Sequence, residues 1–451
     1  MSSRKNILLI NPWIYDFTAY DYWSKPLGLL YIASILREST SCLVSFIDCL
    51  DRFHPLLDRK LKKQPDGRGA FPKEEVPKPP LLKKMPRKYS RYGLPLALFL
   101  HELESVPRPD LVLLTCTMTY WYPGTQMAVE LVRQKYGDIP IVLGGNYATL
   151  MPEHAKSFSG ADFVVQGAGE NQILPLINKI LGDGTAARRE FDKLEKLPWP
   201  AFDLLRNRDG LPLVTSRGCP FKCSFCAVPL LYRNFEQRSP ESVIAEVESH
   251  YQRFKARNFA FFDDALLFDR RRHLIPILRG VLEKNIPLTF HMPNGLQIRQ
   301  IDFELAQVLK EAHVQSIFLS QESFDEKLLA RACPKVSPED LDKALANLEK
   351  AGYRREEINV YLIIGLPGQD IFAAEQSILR VRELGARPRL TYFSPVPGTP
   401  EWENLVNQGY LPRDADPLLH NKLTFPYLWG NISAKEFDDL RNMLIEDSQG
   451  S

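Results

Sequence analysis

Long apolar runs are missing from this 451-residue chain: no stretch reaches the roughly 18 uninterrupted apolar residues that a membrane-spanning helix needs. The opening "MSSRKNILLINPW" meets Asn11 and Pro12 after a short apolar run and shows no small-residue cleavage site. The expectation is a soluble, cytoplasmic protein with no membrane span. Cysteine is scarce. The seven present, Cys42, Cys49, Cys116, Cys219, Cys223, Cys226 and Cys333, are odd in number and scattered, unlike the even framework of a secreted disulfide protein. An excess of one charge is lacking too. Fifty-seven Lys and Arg against 55 Asp and Glu leave a formal charge of +2, so composition carries no signal for nucleic acid as a partner.

What is present is a globular composition, 44% hydrophobic, on a chain too long for one ordinary core, so two domains of about 200 residues are expected. In the first half, "NILLIN", "LVSFID", "LVLLTC", "IVLGG" and "DFVVQG" are short continuous apolar runs, the kind that a parallel sheet buries on both faces. Helical patterns such as "PLGLLYIASILRE" and "GTQMAVELVRQKYG" lie between them. The fold class is therefore α/β, with an N-terminal Rossmann-like, doubly wound parallel sheet over 1–190. Residues 51–95 interrupt it with eight prolines and an excess of base, which reads as a solvated insertion, although the aromatics of "MPRKYSRYG" could order against the second domain.

A linker is expected at 191–211, where two prolines bracket Trp199. Beyond it, "LVTS", "FAFFD", "LTFHM", "SIFLS", "INVYLIIG" and "RLTYFS" alternate with helical segments. That pattern predicts a partial (β/α)6 TIM-like barrel over 212–405, followed by a helical extension over 406–451. Ser239 and Pro240 read as N-cap and first residue of a helix whose apolar face is Val243, Val247, Tyr251 and Phe254.

Three of the seven cysteines sit in "TSRGCPFKCSFC", spaced C-x3-C-x2-C directly after the first barrel strand. Chemistry in such a barrel gathers at the carboxyl ends of the strands. A structural zinc site would want a fourth ligand, and no Cys or His follows within twenty residues of Cys226. Four-iron clusters normally take four cysteines, so three imply one iron left open.

This motif, with Phe225 before the last cysteine and Arg217-Gly218 before the first, resembles the signature of the radical S-adenosylmethionine (SAM) superfamily. "FAFFDDALLF", "HMPNGL", "LSQES", "YLIIGLPGQ" and "FSPVPGTPEWE" resemble that family's later strands in order, over roughly 194–405. The resemblance implies a 4Fe-4S cluster on Cys219, Cys223 and Cys226, whose open iron chelates SAM and whose electron cleaves it to a 5'-deoxyadenosyl radical. It further implies SAM contacts from Phe225 near the adenine, Asp263 and Asp264 at the amino group, Asn294, Glu322, Gly365 and Pro367. The family's usual glycines before the acid are absent at Asp263-Asp264. His291 is a lesser candidate at the same end, because a lone strand-end histidine is more often structural.

The first domain is similar to the cobalamin-binding (B12) domain that precedes many radical SAM enzymes, through "ILLINP", "KPLGLLYIASILRE", "VLGGNYATLMPEHA" and "GADFVVQGAGE". This similarity implies cobalamin contacts from Pro12, Thr115, Thr117, Tyr120, Gly144, Gly145, Asn146, Gly167 and Gly169. Glycines at Gly144 and Gly145 would let backbone approach a bulky ligand. Two departures stand out: the family's cobalt-ligating histidine has no counterpart in "NPWIYDF", and the usual Gly-Glu-Gly-Glu is "GAGE" with Ala168.

The combined expectation is a cobalamin-dependent radical SAM enzyme that methylates an unactivated carbon of a small-molecule or peptide substrate. An electron donor such as flavodoxin or ferredoxin would be its partner. Two other readings stay open: a cobalamin-free radical SAM enzyme with a repurposed first domain, and a methylthiotransferase that uses Cys42, Cys49 and Cys116. The residues name no catalytic group and no substrate.

Overall fold

The structure is a computed structural model that describes residues 4–58, 61, 64–424 and 433–444. It divides into two compact units at Leu211/Pro212. In the first unit, β1 (Asn6–Asn11), β2 (Leu43–Asp48), β3 (Leu111–Thr115), β4 (Ile141–Gly144) and β5 (Phe163–Val164) form one parallel sheet. Their order is β5-β4-β3-β1-β2. Ile7, Leu8, Leu9 and Ile10 are all buried, as are Leu111 to Leu114, which is why neither strand alternates polar with apolar residues. Helix α1 (Leu27–Ser39) buries Leu29, Leu30, Ala33 and Leu36. The winding reverses between β1 and β3, and in open α/β sheets ligands bind at such a switch point, outside the carboxyl ends. Register sets Ile10 beside Leu114 and Thr115 beside Gly144, so the loops after β1, β3 and β4 leave from one edge.

Two stretches are more ordered than the sequence suggests. Within the 51–95 insertion, Ser90–Tyr92 pairs with both Ile14–Asp16 and Lys73–Glu75 as a small antiparallel sheet. Tyr89, Tyr92, Leu82 and Met85 are buried, and Tyr92 packs with Ile14 and Phe71. The expectation of a solvated excursion is thus corrected: its aromatic residues supply enough apolar surface to fold it onto the first unit. In 191–211, Phe191, Leu194, Ala201 and Phe202 are buried, and the Ser34 hydroxyl of α1 donates to the Trp199 carbonyl at 2.6 Å.

From the boundary onward β6 (Gly210–Leu213), β7 (Asn258–Phe261), β8 (Thr289–Leu296), β9 (Val314–Glu322), β10 (Asn359–Ile364) and β11 (Arg387–Tyr392) follow one another across a six-stranded sheet in chain order. The pairs from β7 to β11 are parallel, and the order never reverses, which is barrel winding. Strand β6 stops at Leu213, earlier than "LVTS" predicts, because Thr215 and Ser216 turn to bond Asp263.

Helix α2 (Pro240–Phe254) starts as expected, with the Ser239 hydroxyl accepting from the Ser242 N–H and Pro240 in the first turn. Its buried stripe differs from the expected apolar face. Glu246 and His250 join Val243 and Val247 in place of Tyr251 and Phe254, because the Arg238 guanidinium neutralises Glu246 from outside the helix. Near the chain end, Pro400–Asn407 and Ala434–Met443 are helical. The tail aromatics Phe425, Tyr427 and Trp429 lie outside the described residues.

Candidate functional site

The cysteine loop is held from both flanks. Gly218 adopts φ +84°, and a Cβ there would lie 2.5 Å from the Asn234 carbonyl oxygen, so the residue before Cys219 has to be glycine. The Gly218 N–H donates to Asp264 Oδ2 at 3.1 Å. Thr215 donates to Asp263 Oδ1 through its N–H (3.1 Å) and hydroxyl (2.7 Å), and the Ser216 hydroxyl adds a third bond at 2.6 Å. Asp263 and Asp264 therefore shape the loop from the end of β7. On the far side, the Ser224 N–H donates to the Ala332 carbonyl at 3.0 Å and its hydroxyl to Glu401 Oε1 at 2.8 Å. Arg331 bonds the same Glu401 oxygen at 2.9 Å and the Pro367 carbonyl at 2.6 Å.

All seven cysteines are free thiols. Burial pushes the Cys226 thiol up to about 11 and raises that of Cys219, whereas a hydrogen bond shared with Cys333, 3.6 Å away, pulls Cys223 down to about 7. Burial works against the charge of Lys335, but Glu322 and the neighbouring thiols outweigh it, so its pKa lies above the ordinary lysine value. Among the described residues no three His, Cys, Asp or Glu side chains converge as a single metal ion requires. Three thiols on one loop with a half-buried cation beside them suit a larger, negatively charged cluster.

The structure brings some of the predicted SAM residues together. The Asn294 side-chain amide donates to the Asp263 carbonyl at 3.2 Å, joining β7 to β8. Asp263 is buried with its second carboxylate oxygen unpartnered, and burial raises its pKa; burial likewise lifts Asp264 to about 6. Glu322 ends β9 at φ +64°, where the register with β10 slips, and its carboxylate lies 3.9 Å from Lys335. Gly365 turns at φ +87° after β10, its N–H donating to Gln369 at 2.8 Å. Phe225 packs against the cluster that contains Leu328, Ile363, Leu366 and Phe393. His291 is wholly buried between Ser316 and Asn258, at 3.0 and 3.1 Å, which is the structural role. Cys333, Lys335, Ser224 and Glu401 escaped the sequence reading, because no local spacing marks them.

In the first unit the two glycines part company. A Cβ on Gly144 would meet nothing within 4 Å. On Gly145, at φ +92°, it would lie 2.6 Å from Thr115 Oγ1 and 2.8 Å from the Cys116 carbonyl oxygen, so this glycine is required by the protein's own backbone. Thr117 and Gly167 are exposed, and Asn146 and Gly169 half-buried, in the segments that follow β3, β4 and β5, while Thr115, the last residue of β3, is half-buried too. Pro12 and Tyr120 are buried. The open Gly144 and the exposed Thr117 and Gly167 leave the carboxyl edge of the sheet free for a bulky ligand.

Family comparison agrees with this geometry. The Radical SAM superfamily profile matches residues 213–380, which take in the cysteine loop and strands β7 to β10, and the B12 binding domain profile matches residues 97–176. The chain carries a radical SAM domain and a B12-binding domain. Its cofactors are a 4Fe-4S cluster, SAM and cobalamin. This radical SAM protein is similar to an uncharacterized methyltransferase of Pyrococcus horikoshii, 24% identical over 331 residues, which are 67% of this chain and 71% of the relative. It is also similar to the hopanoid C-2 methylase of Rhodopseudomonas palustris, 26% identical over 297 residues, covering 61% of this chain and 54% of that protein, so it matches about half of the latter's length. Among solved structures, the radical SAM methyltransferase TsrM from Kitasatospora setae, with cobalamin and a [4Fe-4S] cluster bound, superposes with a TM-score of 0.65. That likeness, at 16% identity over 90% of this chain and 78% of TsrM, is one of fold. Among the described residues no helix is long and apolar enough to cross a membrane.

Proposed function

We propose that this radical SAM protein methylates an unactivated carbon of a small-molecule or peptide substrate. The observation that carries the reading is the presence, in one chain, of a braced three-thiol loop at a barrel strand end and a second parallel sheet left open at Gly144. Cys219, Cys223 and Cys226 would hold the cluster; Phe225, Asp263, Asp264, Asn294, Glu322, Gly365 and Pro367 would surround SAM; Thr115, Thr117, Gly144, Asn146, Gly167 and Gly169 would face cobalamin. When bound, the cluster with SAM supplies a carbon radical able to take hydrogen from a C–H bond, and cobalamin supplies a carrier for a methyl group.

The protein's own groups have definite tasks in this reading. Glu322 accepts hydrogen bonds from a cationic or hydroxylated ligand, and Lys335 balances charge gathered at the loop. Asp263 spends one oxygen on Thr215 and Ser216 and keeps the other for a donor. Asp264 orients Gly218 and with it Cys219. A low-potential protein such as flavodoxin or ferredoxin would deliver the electrons. Seven free thiols suit a reducing compartment, the cytoplasm.

The test is to purify the protein anaerobically from cells supplied with cobalamin and to analyse its turnover. Retained cobalamin, together with formation of both S-adenosylhomocysteine and 5'-deoxyadenosine, is the expected result. A protein that binds the cluster and cleaves SAM but takes up no cobalamin would overturn methyl transfer.

A further inference from the structure

Cys333 stands outside the three-cysteine motif, yet its sulfur lies 3.6 Å from that of Cys223. The approach is built by backbone. Cys333 caps the helix Glu326–Ala332, its N–H donating to the Leu329 carbonyl at 2.8 Å. The residue before it, Ala332, accepts the N–H of Ser224, the residue after Cys223. One residue earlier, Arg331 reaches Ser224 through their shared partner, Glu401. Three successive residues of one segment are thus fastened to the cysteine loop, and the side chain of the third points its sulfur at a cluster cysteine. Cys333 is 1% exposed, so no water competes for this contact.

We propose that Cys333 is a positioning residue that donates its S–H to the iron-bound sulfur of Cys223 and thereby raises the potential at which the cluster accepts its electron. The inference rests on the reading that Cys223 holds the cluster. A thiolate bound to iron carries no proton and can only accept, so the donor in this pair has to be Cys333. Terminal sulfurs on different corners of a four-iron cube lie farther apart than one sulfur–sulfur contact, so the spacing suits a hydrogen bond rather than a fourth ligand. Hydrogen bonds to cluster sulfurs draw off negative charge and favour the reduced state, and a buried, water-free setting strengthens them.

The experiment compares anaerobically reconstituted holoenzyme with its Cys333→Ala and Cys333→Ser variants. Iron and sulfide content is measured first, and the cluster potential is then titrated by electron paramagnetic resonance. The expected result is equal iron in all three proteins, a more negative midpoint for C333A, and recovery of most of the shift by the serine hydroxyl in C333S. An exchangeable proton coupled to the reduced cluster should be present in the parent and lost in C333A. An unchanged midpoint in C333A overturns the proposal. So does loss of iron from a C333A protein whose circular dichroism matches the parent's, because Cys333 would then be a ligand. A parent that takes up no iron would fail the cluster assignment itself, a result distinct from either of these.

Discussion

Ser224 and Glu401, 177 positions apart in the chain, exchange two hydrogen bonds: the Ser224 hydroxyl donates to the Glu401 carboxylate at 2.8 Å, and the Glu401 N–H returns to the Ser224 carbonyl at 3.1 Å. The Glu401 carboxylate is fully buried and also holds Arg331, so a residue near the end of the barrel keeps the cysteine loop in place. Replacing Ser224 with Ala removes one donor to a buried charge, and should cost about 1–3 kcal/mol of stability. Glu401→Ala should cost more, since it strips partners from Ser224 and Arg331 together. Thermal unfolding and iron retention measure both; variants that unfold and hold iron like the parent would show that the brace is idle.

Changing Cys219, Cys223 or Cys226 to Ala should abolish the brown chromophore of a reconstituted protein that otherwise binds about four irons. Cys42→Ala, a buried core thiol of the first unit, should leave it intact. Iron content that is equal in all four variants would remove the cluster from this loop.

Glu322→Ala should weaken SAM binding by about 1.5–3 kcal/mol, or roughly ten- to a hundredfold, because a charge-assisted hydrogen bond is lost. Iron content should not change. Equilibrium dialysis with SAM decides it, and an unaltered Kd would reduce Glu322 to a partner for Lys335.

Gly144 and Gly145 should respond in opposite ways. Gly144→Leu enters open space, so the protein should stay folded and lose cobalamin. Gly145→Ala meets the Cys116 backbone at a positive φ, so the first unit itself should be destabilised. Cobalamin absorbance and denaturation curves separate the two. Equal stability of both variants would contradict the close approach at Gly145.

Asp48, at the end of β2, is half-buried, and the loss of water around its carboxyl lifts its pKa to about 6 despite hydrogen bonds from Asn11 and the Leu50 N–H. A carboxyl raised in the fold stabilises it fully only below the unfolded pKa, and that contribution is lost as pH rises through about 6. Asp48→Asn should therefore gain stability over the parent as pH goes from 5 to 8, by about 1.4 kcal/mol, since one unit separates pH 5 from the folded pKa of about 6. Urea unfolding at the two pH values checks the sign, and a constant difference would mean that Asp48 does not titrate there.

Both sheets were legible because their strands are continuous apolar runs. Ile7 to Ile10 and Leu111 to Leu114 need no partner to announce burial on two faces. The strand ends were less so: β6 stops where Thr215 leaves the ladder for Asp263, 48 positions on, and β5 shrinks to two residues. The 51–95 segment misled because proline and base outweigh, in a count, the few aromatic side chains that turn inward.

By itself the sequence determined the three-cysteine loop, since three thiols within eight residues share one loop whatever surrounds them. It also determined the two α/β units, whose periodicity is local. Only the tertiary structure decided which residues serve that loop from a distance. Cys333 lies 110 positions from Cys223, and Glu401 lies 177 from Ser224; contacts at such separations arise from chain topology, which no spacing encodes. The same holds for the paired glycines. Gly144 and Gly145 are adjacent and alike in sequence, and what separates them is the Cys116 backbone lying against one of them, placed there by the pairing of β3 with β4.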